Sequence, residues 1–430
     1  MKVRIKNIKK HLNSMPVLLL YLFIFFLPSL QKISIVCIFM FGISYIMWGN
    51  LRETFDNLSN NKLLALPLLF YFIHLFGLIY TTNYNYAFSD LETKSSLLFI
   101  PLLLLSFKPG SKLLIKLETT FIYGNVFASS VCLINSLISY LNVREADVFF
   151  YEKYSFFLHP TYFTIYLNLS LLLVIKRYFN KLILPLAGNF KYLLLILFLF
   201  GNITFLTSRA GIVITLLTSL GYLIYLLLTT RKYRGKYFIH IIVILILFFS
   251  QLLVLKNFNR FSYLKYEVIA AEKVGGKTKK YDSEGVTPTR VQLWMNAIEV
   301  IKLHPIFGVG TGDLKDELIR VYWEREGIYL NPHNQYLQTA ASLGIIGLCI
   351  LLAMLTFPVH DALKKRYPMF ILFIAIILLN AVTESILERQ AGIVFFSFFY
   401  TYFYLAMNSD HSGQFENIRE TDLIKKLKDV

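Results

Sequence analysis

The chain has 430 residues, of which 56% are hydrophobic and 16% aromatic, and its mean hydropathy is +0.57. This composition excludes an ordinary soluble globular protein and indicates a polytopic membrane protein. The formal net charge of +17 could point to nucleic acid, but the positions of the basic residues along the chain argue against that partner.

Twelve apolar runs in the sequence are long enough to be candidate membrane spans. In chain order they are 16–30, 33–48, 63–80, 96–107, 119–141, 160–175, 191–207, 210–229, 237–254, 335–357, 368–383 and 391–407. We therefore predict an all-α polytopic membrane protein of about 12 transmembrane helices, with one large extracytoplasmic loop that contains short amphipathic helices.

The basic residues predict the orientation of these spans. If the N-terminus is cytoplasmic, twenty-five Lys and Arg lie on inner segments and only six lie in the short outer loops. The positive-inside rule then places both termini in the cytoplasm and accounts for most of the net charge without nucleic acid. The predicted divisions are an N-terminal bundle of about nine helices at 1–254, an extracytoplasmic loop at 255–334, about three helices at 335–407 and a cytoplasmic tail at 408–430.

The first section of the long loop is basic and includes the segment 273–280, which is typical of a contact with lipid headgroups. Thr287-Pro288-Thr289-Arg290 then predicts a helix start, and an apolar stripe predicts that this helix lies on the membrane or on the bundle. His304-Pro305 ends it. A second amphipathic helix, capped by Asp313 with Asp316, is predicted to run to about Glu326.

A glycine-rich turn, Phe307 to Asp313, separates these two helices. Such a turn can form an anion-binding nest, or it can be a plain structural turn, and the structural turn is favoured. It is not a dinucleotide fingerprint, because no strand precedes it and its third glycine is misplaced.

Asn331 to Gln338 is a polar, proline-containing helix start that leads into an apolar helix. Pro332 suits the first helical position, which would place His333 in the first turn, at the positive end of the helix dipole. His333, Leu337, Ala340, Gly344 and Gly347 would then share a face whose small residues let a neighbouring helix approach. His333 could take part in proton transfer at the membrane surface, or it could only cap the helix.

Two arginines occupy similar places at outer helix starts. Arg209, within Thr207 to Gly211, begins a helix, where a cation is costly unless it meets an anion such as pyrophosphate. The alternative is an arginine that extends to lipid headgroups. Arg290 also lies in a first helical turn, where an ordinary solvated charge is the alternative.

Other polar residues fall on the same predicted outer face. His159, before Pro160, either lines the same cavity or caps a helix. Glu384 and Glu388-Arg389 suggest an internal ion pair, with a supporting role in the site as the alternative. Glu145 and Asp147 are too weak a pattern to predict a metal site. Because the spans carry almost no charge at mid-depth, the pattern disfavours an ion-coupled transporter and favours a protein that handles an anion at the membrane surface.

The ordered motifs resemble those of the O-antigen ligase and O-antigen polymerase superfamily, which are bacterial polytopic membrane glycan transferases. The resemblance covers about 205–350. It rests on Thr207 to Gly211, on Arg290 with Trp294 and Ala297, on Pro305 to Gly312, and on Pro332-His333-Asn334 with Tyr336 to Gln338 and Ser342 to Gly344.

This resemblance implies metal-independent, inverting transfer of a glycan from undecaprenyl pyrophosphate to an acceptor hydroxyl, on the periplasmic face of the inner membrane. It implies no cofactor and no metal, and as partners a lipid-linked glycan donor, a lipid A-core or other glycan acceptor and the bilayer. The predicted catalytic residues are His333 as base with Arg209 and Arg290 on the pyrophosphate. The predicted substrate-binding residues are Arg209, Arg290, His159, Asn334, Glu384 and Arg389.

Other functions stay open at this point. Within the family, a polymerase would use a second lipid-linked repeat unit as acceptor, and a third type of ligase would attach the glycan to protein. A flippase or exporter of lipid-linked glycans is an alternative of a different class, but it needs a charged path through the bundle. A purely structural membrane protein would tolerate replacement of Arg209 and His333.

Overall fold

The computed structural model describes residues 15–48, 58, 61–181, 190–230, 234–257, 290–323 and 331–409. Over these residues the chain forms α-helices and short 3₁₀ turns, with no strand. The α-helices are α1 (Met15–Phe26), α2 (Gln31–Trp48), α3 (Ala65–Phe76), α4 (Tyr84–Lys94), α5 (Ser96–Phe107), α6 (Ser111–Val143), α7 (Tyr151–Tyr154), α8 (Pro160–Lys181), α9 (Phe190–Leu206), α10 (Arg209–Thr229), α11 (Arg234–Asn257), α12 (Arg290–Leu303), α13 (Leu314–Trp323), α14 (Gln335–Lys364), α15 (Pro368–Ala381) and α16 (Gln390–Asn408).

Each of the twelve predicted apolar runs overlaps one of these helices. Five helical segments in the described part of the chain are long and apolar enough to cross a membrane, namely Lys62–Ile79, Ser111–Val143, Arg209–Thr229, Gln335–Lys364 and Gln390–Asn408. Over the described ranges the chain is thus all-helical, and it has the character of a polytopic membrane protein. The total of twelve spans and the division into bundle, loop and tail stay predictions.

The last helix, α16, lies at the centre of the bundle. Its residues are apolar on all faces, and 83% of its most apolar stretch is buried by the other helices. Its aromatic rings pack closely against other helices. The ring centroid of Phe399 lies 4.5 Å from that of Phe121 in α6, and the ring of Phe395 stacks on that of Tyr166 in α8 with 4.5 Å between centroids. A helix that is hydrophobic all round can be covered by lipid or by other helices, and here the neighbouring helices cover most of α16. The start of α16 is thereby held against α8.

The helices α12 and α13 form a small separate core with α14. Leu293, Ala297 and Val300 of α12 are buried together with Leu318 of α13 and Ala341 of α14. The predicted apolar stripe therefore packs on the bundle, and the prediction that the first loop helix ends at His304-Pro305 is confirmed. The predicted start at 287–289, the basic segment at 273–280, the stretch from 324 to Glu326 and the tail from 410 lie outside the described residues.

The glycine-rich turn fits into a break in α14. Gly344 has φ 65° and ψ −163°, which interrupts the helix. A Cβ added at Gly344 would lie 2.1 Å from the carbonyl oxygen of Ile306, so the turn can approach only because no side chain is present. The neighbour at this small residue is the turn and not a second helix. The prediction of one continuous small-residue face for helix pairing is therefore wrong.

Four N–H groups of the turn are already hydrogen-bonded within the protein. Gly308 N donates to His304 O (3.1 Å), Val309 N to Ala341 O (3.0 Å) and Gly310 N to Ser342 O (2.9 Å). Gly312 N donates to the hydroxyl of Thr81 (2.9 Å). Because these donors are used within the protein, the turn has the structural role that the sequence favoured over an anion nest.

Asp313 connects this turn to the segment between α3 and α4. Its carboxylate accepts hydrogen bonds from Thr82 N (2.7 Å), Asn83 N (2.7 Å) and the Thr81 hydroxyl (2.9 Å). The side chain of Asp316 accepts from the amide of Asn83 (2.7 Å). The prediction that the side chains of Asp313 and Asp316 cap their own helix is therefore wrong. Their carboxylate oxygens instead accept hydrogen bonds from residues 81–83, whose donor groups compete for the same oxygens.

Candidate active site

His333 lies just before α14, and not inside its first turn. The N-cap is Asn334, whose side-chain oxygen accepts from Tyr336 N (3.0 Å) and Leu337 N (3.1 Å). His333 has φ 48°, which no α-helical residue adopts. The prediction that Pro332 is the first helical residue is therefore wrong. Asparagine is one of the strongest N-cap residues, and here this preference outweighs that of proline for the first helical position.

The imidazole of His333 is paired with Glu384. Nδ1 lies 3.2 Å from each oxygen of the Glu384 carboxylate, and the Glu384 side chain is 9% exposed. Burial raises the pKa of Glu384, but the hydrogen bond and charge of His333, with the nearby His159 and Arg389, outweigh it and leave this pKa below its ordinary value. An ionised carboxylate only accepts, so Nδ1 carries the hydrogen of this contact, and in the neutral ring Nε2 is the acceptor.

Further hydrogen bonds join the two segments that hold this pair. The side-chain oxygen of Asn331 accepts from the Ser385 hydroxyl (2.7 Å) and from His333 N (2.8 Å). Two residues after His333, the side-chain oxygen of Gln335 accepts from Leu387 N (2.7 Å), and its side-chain nitrogen donates to the Glu388 carboxylate (3.0 Å). Residues 331–335 and 384–388 are thus connected at three places, and along 331–335 His333 lies between Asn331 and Gln335.

His159 lies beside this pair at the start of α8. Its main-chain oxygen accepts from Phe163 N (3.1 Å), while its buried Nδ1 has no hydrogen-bond partner. Burial lowers the pKa of His159; Glu384 and Glu152 oppose this shift, and Arg389 and His333 add to it. The ring is therefore mainly neutral near pH 7. His159 is thus near enough to Glu384 and Arg389 to interact with them electrostatically, and the choice between lining a cavity and capping a helix stays a prediction.

Arg209 begins α10, as predicted, next to the first turns of α8. The Ser208 side chain caps this helix by accepting from Gly211 N (3.2 Å). A Cβ added at Gly211 would lie 2.2 Å from the Thr164 methyl group, and Gly211 O accepts from Asn168 (3.2 Å). On the other side of α8, the Tyr166 hydroxyl donates a hydrogen bond to Ala391 O (2.6 Å). The start of α8 therefore connects the start of α10 to the start of α16, and Arg209 lies at the same end of the bundle as Glu384.

Arg290 is the first residue of α12, and its side chain is exposed. One turn further on, the indole of Trp294 donates to Pro332 O (3.0 Å). Since residues four positions apart lie on the same face of a helix, Arg290 is on the side of α12 that faces the segment before His333. The structure thus brings the first turn of α12 close to the His333 segment.

Glu388 and Arg389 do not pair with each other. Glu388 instead accepts from the ammonium group of Lys94 in α4 (2.8 Å), which also contacts Asp90. The predicted internal ion pair is therefore wrong in its partners: Glu388 pairs with Lys94, and Glu384 with His333. Arg389 is exposed and is the N-cap residue of α16. Arg389 interacts electrostatically with His159 and Glu384, and its role in substrate binding stays a prediction.

Asn334, predicted to bind substrate, uses its side-chain oxygen as the helix cap. A contact with substrate would therefore fall to its Nδ2. Asp147 forms an ion pair with Lys153. Within the described ranges, no group of three or more His, Cys, Asp or Glu is placed to hold a metal ion.

Sequence reasoning missed the residues that support the histidine. Asn331, Gln335 and Ser385 join its two segments, and Lys94 is the buried partner of Glu388. Gln335 stands inside the motif around His333, so it could have been singled out. Lys94 was visible only as one of the few basic residues in the predicted outer loops.

Comparison with known proteins supports the family inferred from the motifs. The family model described as O-antigen ligase matches residues 194–352. This range includes Arg209, Arg290 and His333, whereas His159, Glu384 and Arg389 lie outside it. A search of curated proteins gave no match. Residues 194–352 therefore match the O-antigen ligase domain, and the resemblance drawn from the motifs is confirmed.

Proposed function

We propose that this protein transfers a glycan from undecaprenyl pyrophosphate to the hydroxyl of an acceptor, a lipid A-core sugar, at the periplasmic face of the bacterial inner membrane. The single observation that supports this most strongly is the His333–Glu384 pair, which lies at the end of an apolar bundle where Arg209 and Arg290 begin their helices. A buried carboxylate that orients one imidazole nitrogen leaves the other available as a proton acceptor.

In the proposed reaction, the acceptor oxygen attacks the anomeric carbon of the donor sugar. Nε2 of His333 takes the hydroxyl proton while the bond between that carbon and the pyrophosphate oxygen breaks, and the lipid pyrophosphate leaves with the bond electrons. Glu384 stabilises the imidazolium that forms. Arg209 and Arg290 balance the charge that grows on the pyrophosphate. One displacement inverts the configuration at the anomeric carbon, and the proposed reaction needs no metal ion.

The remaining predicted residues have supporting places in this proposal. His159 and Arg389 lie next to Glu384, where they could contact the sugar or the pyrophosphate. A guanidinium group matches the geometry of phosphate oxygens, and a neutral imidazole can donate or accept a hydrogen bond with a sugar hydroxyl.

The test replaces Arg209, Arg290 and His333 singly by alanine in a strain that lacks the native gene. Arg320→Ala and His304→Ala serve as matched controls, because both side chains are exposed in α13 or just after α12. Lipopolysaccharide is compared on gels at equal membrane expression. We expect the polysaccharide ladder to disappear in the three site variants, with core and lipid-linked glycan accumulating, and to persist in both controls.

Two other outcomes would change the proposal. A single repeat unit on the core would indicate a polymerase, which uses a second lipid-linked repeat as acceptor. An unchanged ladder in all three variants would remove the proposed site. The base assignment has its own test in the pH profile of transfer by the purified protein: an acidic limb that persists in His333→Gln would contradict it.

A further inference from the structure

A buried cluster of one lysine and two carboxyl groups lies next to the candidate site. The side chain of Lys94, near the end of α4, is 1% exposed and contacts both Asp90 and Glu388. Burial alone would lower the pKa of Lys94, but the two carboxylates outweigh it and raise this pKa, so the ammonium group keeps its charge. Burial raises the pKa of Asp90 to about 7, with Glu388 adding to this shift and Lys94 opposing it.

This cluster is connected to the helix that follows His333. Glu388 receives hydrogen bonds from Lys94 on one carboxylate oxygen (2.8 Å) and from Gln335 on the other (3.0 Å). Gln335 is the first residue of α14, two positions after His333, and it also accepts from Leu387 N. Glu384 lies four positions before Glu388 in the same short segment. Lys94 therefore contacts, through Glu388, the place where Gln335 connects residues 331–335 to residues 384–388.

We infer that Lys94 is a positioning residue: by neutralising Glu388, it holds this carboxylate against Gln335 and so maintains the contact between Glu384 and His333. The inference rests on the proposed function of that pair. A buried carboxylate without its cation is strongly disfavoured, so Glu388 would turn towards water and take residues 387 and 388 away from Gln335. A shift of about 1 Å in the catalytic pair is enough to cost about 100-fold in rate.

The arrangement also predicts which second substitution repairs the first. Glutamine at 388 has no charge to compensate, yet its side-chain oxygen can still accept from Gln335. The other carboxyl, Asp90, is only 11% exposed, and because burial raises its pKa while Lys94 opposes that shift, loss of Lys94 favours its neutral form. A chain with both Lys94→Met and Glu388→Gln should therefore keep the Gln335 contact without any buried unpaired charge.

The test uses the full-length purified protein and four variants: Lys94→Met, Glu388→Gln, the double variant, and Lys302→Met as control. Lys302 also forms a salt bridge, with Glu299, but its side chain is 66% exposed. Amide hydrogen exchange at Leu387 reports directly on the bond to Gln335, without any substrate. Transfer is measured with lipid-linked glycan extracted from the host strain, so that kcat and KM for the donor are obtained separately.

We expect exchange at Leu387 to rise about tenfold or more in Lys94→Met, which is a change of about 1.4 kcal/mol, and to return to the parental rate in the double variant. We also expect kcat to fall about 10- to 100-fold in Lys94→Met with KM unchanged, and to recover in the double variant. A purely structural role for Lys94 would give equal losses in both Lys94 variants, through lower yields of folded protein.

Unchanged exchange at Leu387 and unchanged kcat in Lys94→Met would overturn the inference. A failure of the double variant to recover either quantity would overturn it as well. If the parental protein transfers no glycan, the proposed function fails, and the exchange rates alone then decide whether Lys94 holds residues 387 and 388 against Gln335.

Discussion

Nδ1 of His333 lies 3.2 Å from both carboxylate oxygens of Glu384, although 51 positions separate the two residues in the sequence. The carboxylate is buried while the imidazole is partly exposed. The protein thus holds one ring nitrogen inside and presents the other at the end of the bundle. In such pairs the carboxylate sets which nitrogen carries the hydrogen, and it stabilises the ring when it gains a proton.

Glu384→Gln should slow glycan transfer by at least about tenfold, because an amide of the same shape lacks the charge that stabilises the imidazolium. The loss should appear in kcat, with little change in KM for the donor. Initial rates of transfer by the purified variant measure this effect. Glu299→Gln, an exposed glutamate of α12, is the matched control and should keep parental rates. A Glu384→Gln variant with parental kcat would contradict the assigned pairing.

The low pKa of Glu384 makes a pH-dependent contribution to stability. Because its pKa in the folded protein is below the ordinary value, this contribution is fully present above the unfolded pKa of about 4.3 and is lost as the pH falls through the folded value. Melting temperatures followed by tryptophan fluorescence should therefore be higher for the parental protein than for Glu384→Gln near pH 7. This difference should shrink as the pH is lowered below about 4. A difference that stays constant over this pH range would show that the carboxylate is not stabilised by its neighbours.

Trp294→Phe should disturb the site from the side of α12. Phenylalanine keeps most of the packing but cannot donate to Pro332 O, so about 1 kcal/mol of hydrogen-bond energy is lost where α12 meets the His333 segment. We expect a several-fold fall in kcat/KM, because Arg290 and His333 are then held less firmly relative to each other. Initial rates of transfer by the purified variant, with extracted lipid-linked glycan as donor, measure this fall in kcat/KM. Trp323→Phe, at the end of α13, is the control, and an equal loss in both variants would argue against a specific role for the Trp294 contact.

Gly344→Ala should strongly destabilise the protein. The residue has φ 65°, and its new Cβ would lie 2.1 Å from Ile306 O, so the glycine-rich turn would have to move away from α14. We expect a loss of about 2–4 kcal/mol, seen as a lower melting temperature and less folded protein in the membrane. Gly201→Ala is the matched control, because a Cβ there meets no atom within 4 Å and alanine favours the helix. If both variants melt at the same temperature, the break in α14 does not depend on glycine.

The helices could be predicted from the sequence because their signals are local. Each of the twelve apolar runs overlaps a helix, α10 begins at Arg209 as predicted, and Arg290 is helical, while the predicted cap at 287–289 lies outside the described residues. Composition and apolar run length depend on neighbouring residues only, and lipid or protein surroundings both favour a helix that satisfies its own backbone groups. The central position of α16 had no such local signal, since its apolar character does not differ from that of the other spans.

The helix start near His333 shows where local rules competed. Proline favoured a start at Pro332, asparagine favoured a cap at Asn334, and both signals stood within three residues. The contacts of Asn331 with Ser385 and of Trp294 with Pro332 hold this segment outside the helix. These partners lie tens of positions away along the chain, so the local pattern could not decide between the two starts.

The sequence by itself determined the class of protein, the helices and the three residues on which the proposed chemistry depends, Arg209, Arg290 and His333, because composition, helix starts and motif order are properties of short stretches. Only the tertiary structure decided how charged and polar groups pair. It joined His333 to Glu384, Glu388 to Lys94, and the glycine-rich turn to the break at Gly344. The physical reason is that each of these contacts removes a buried charge or backbone group from water, and such a group takes whichever partner the packing of distant helices brings within reach.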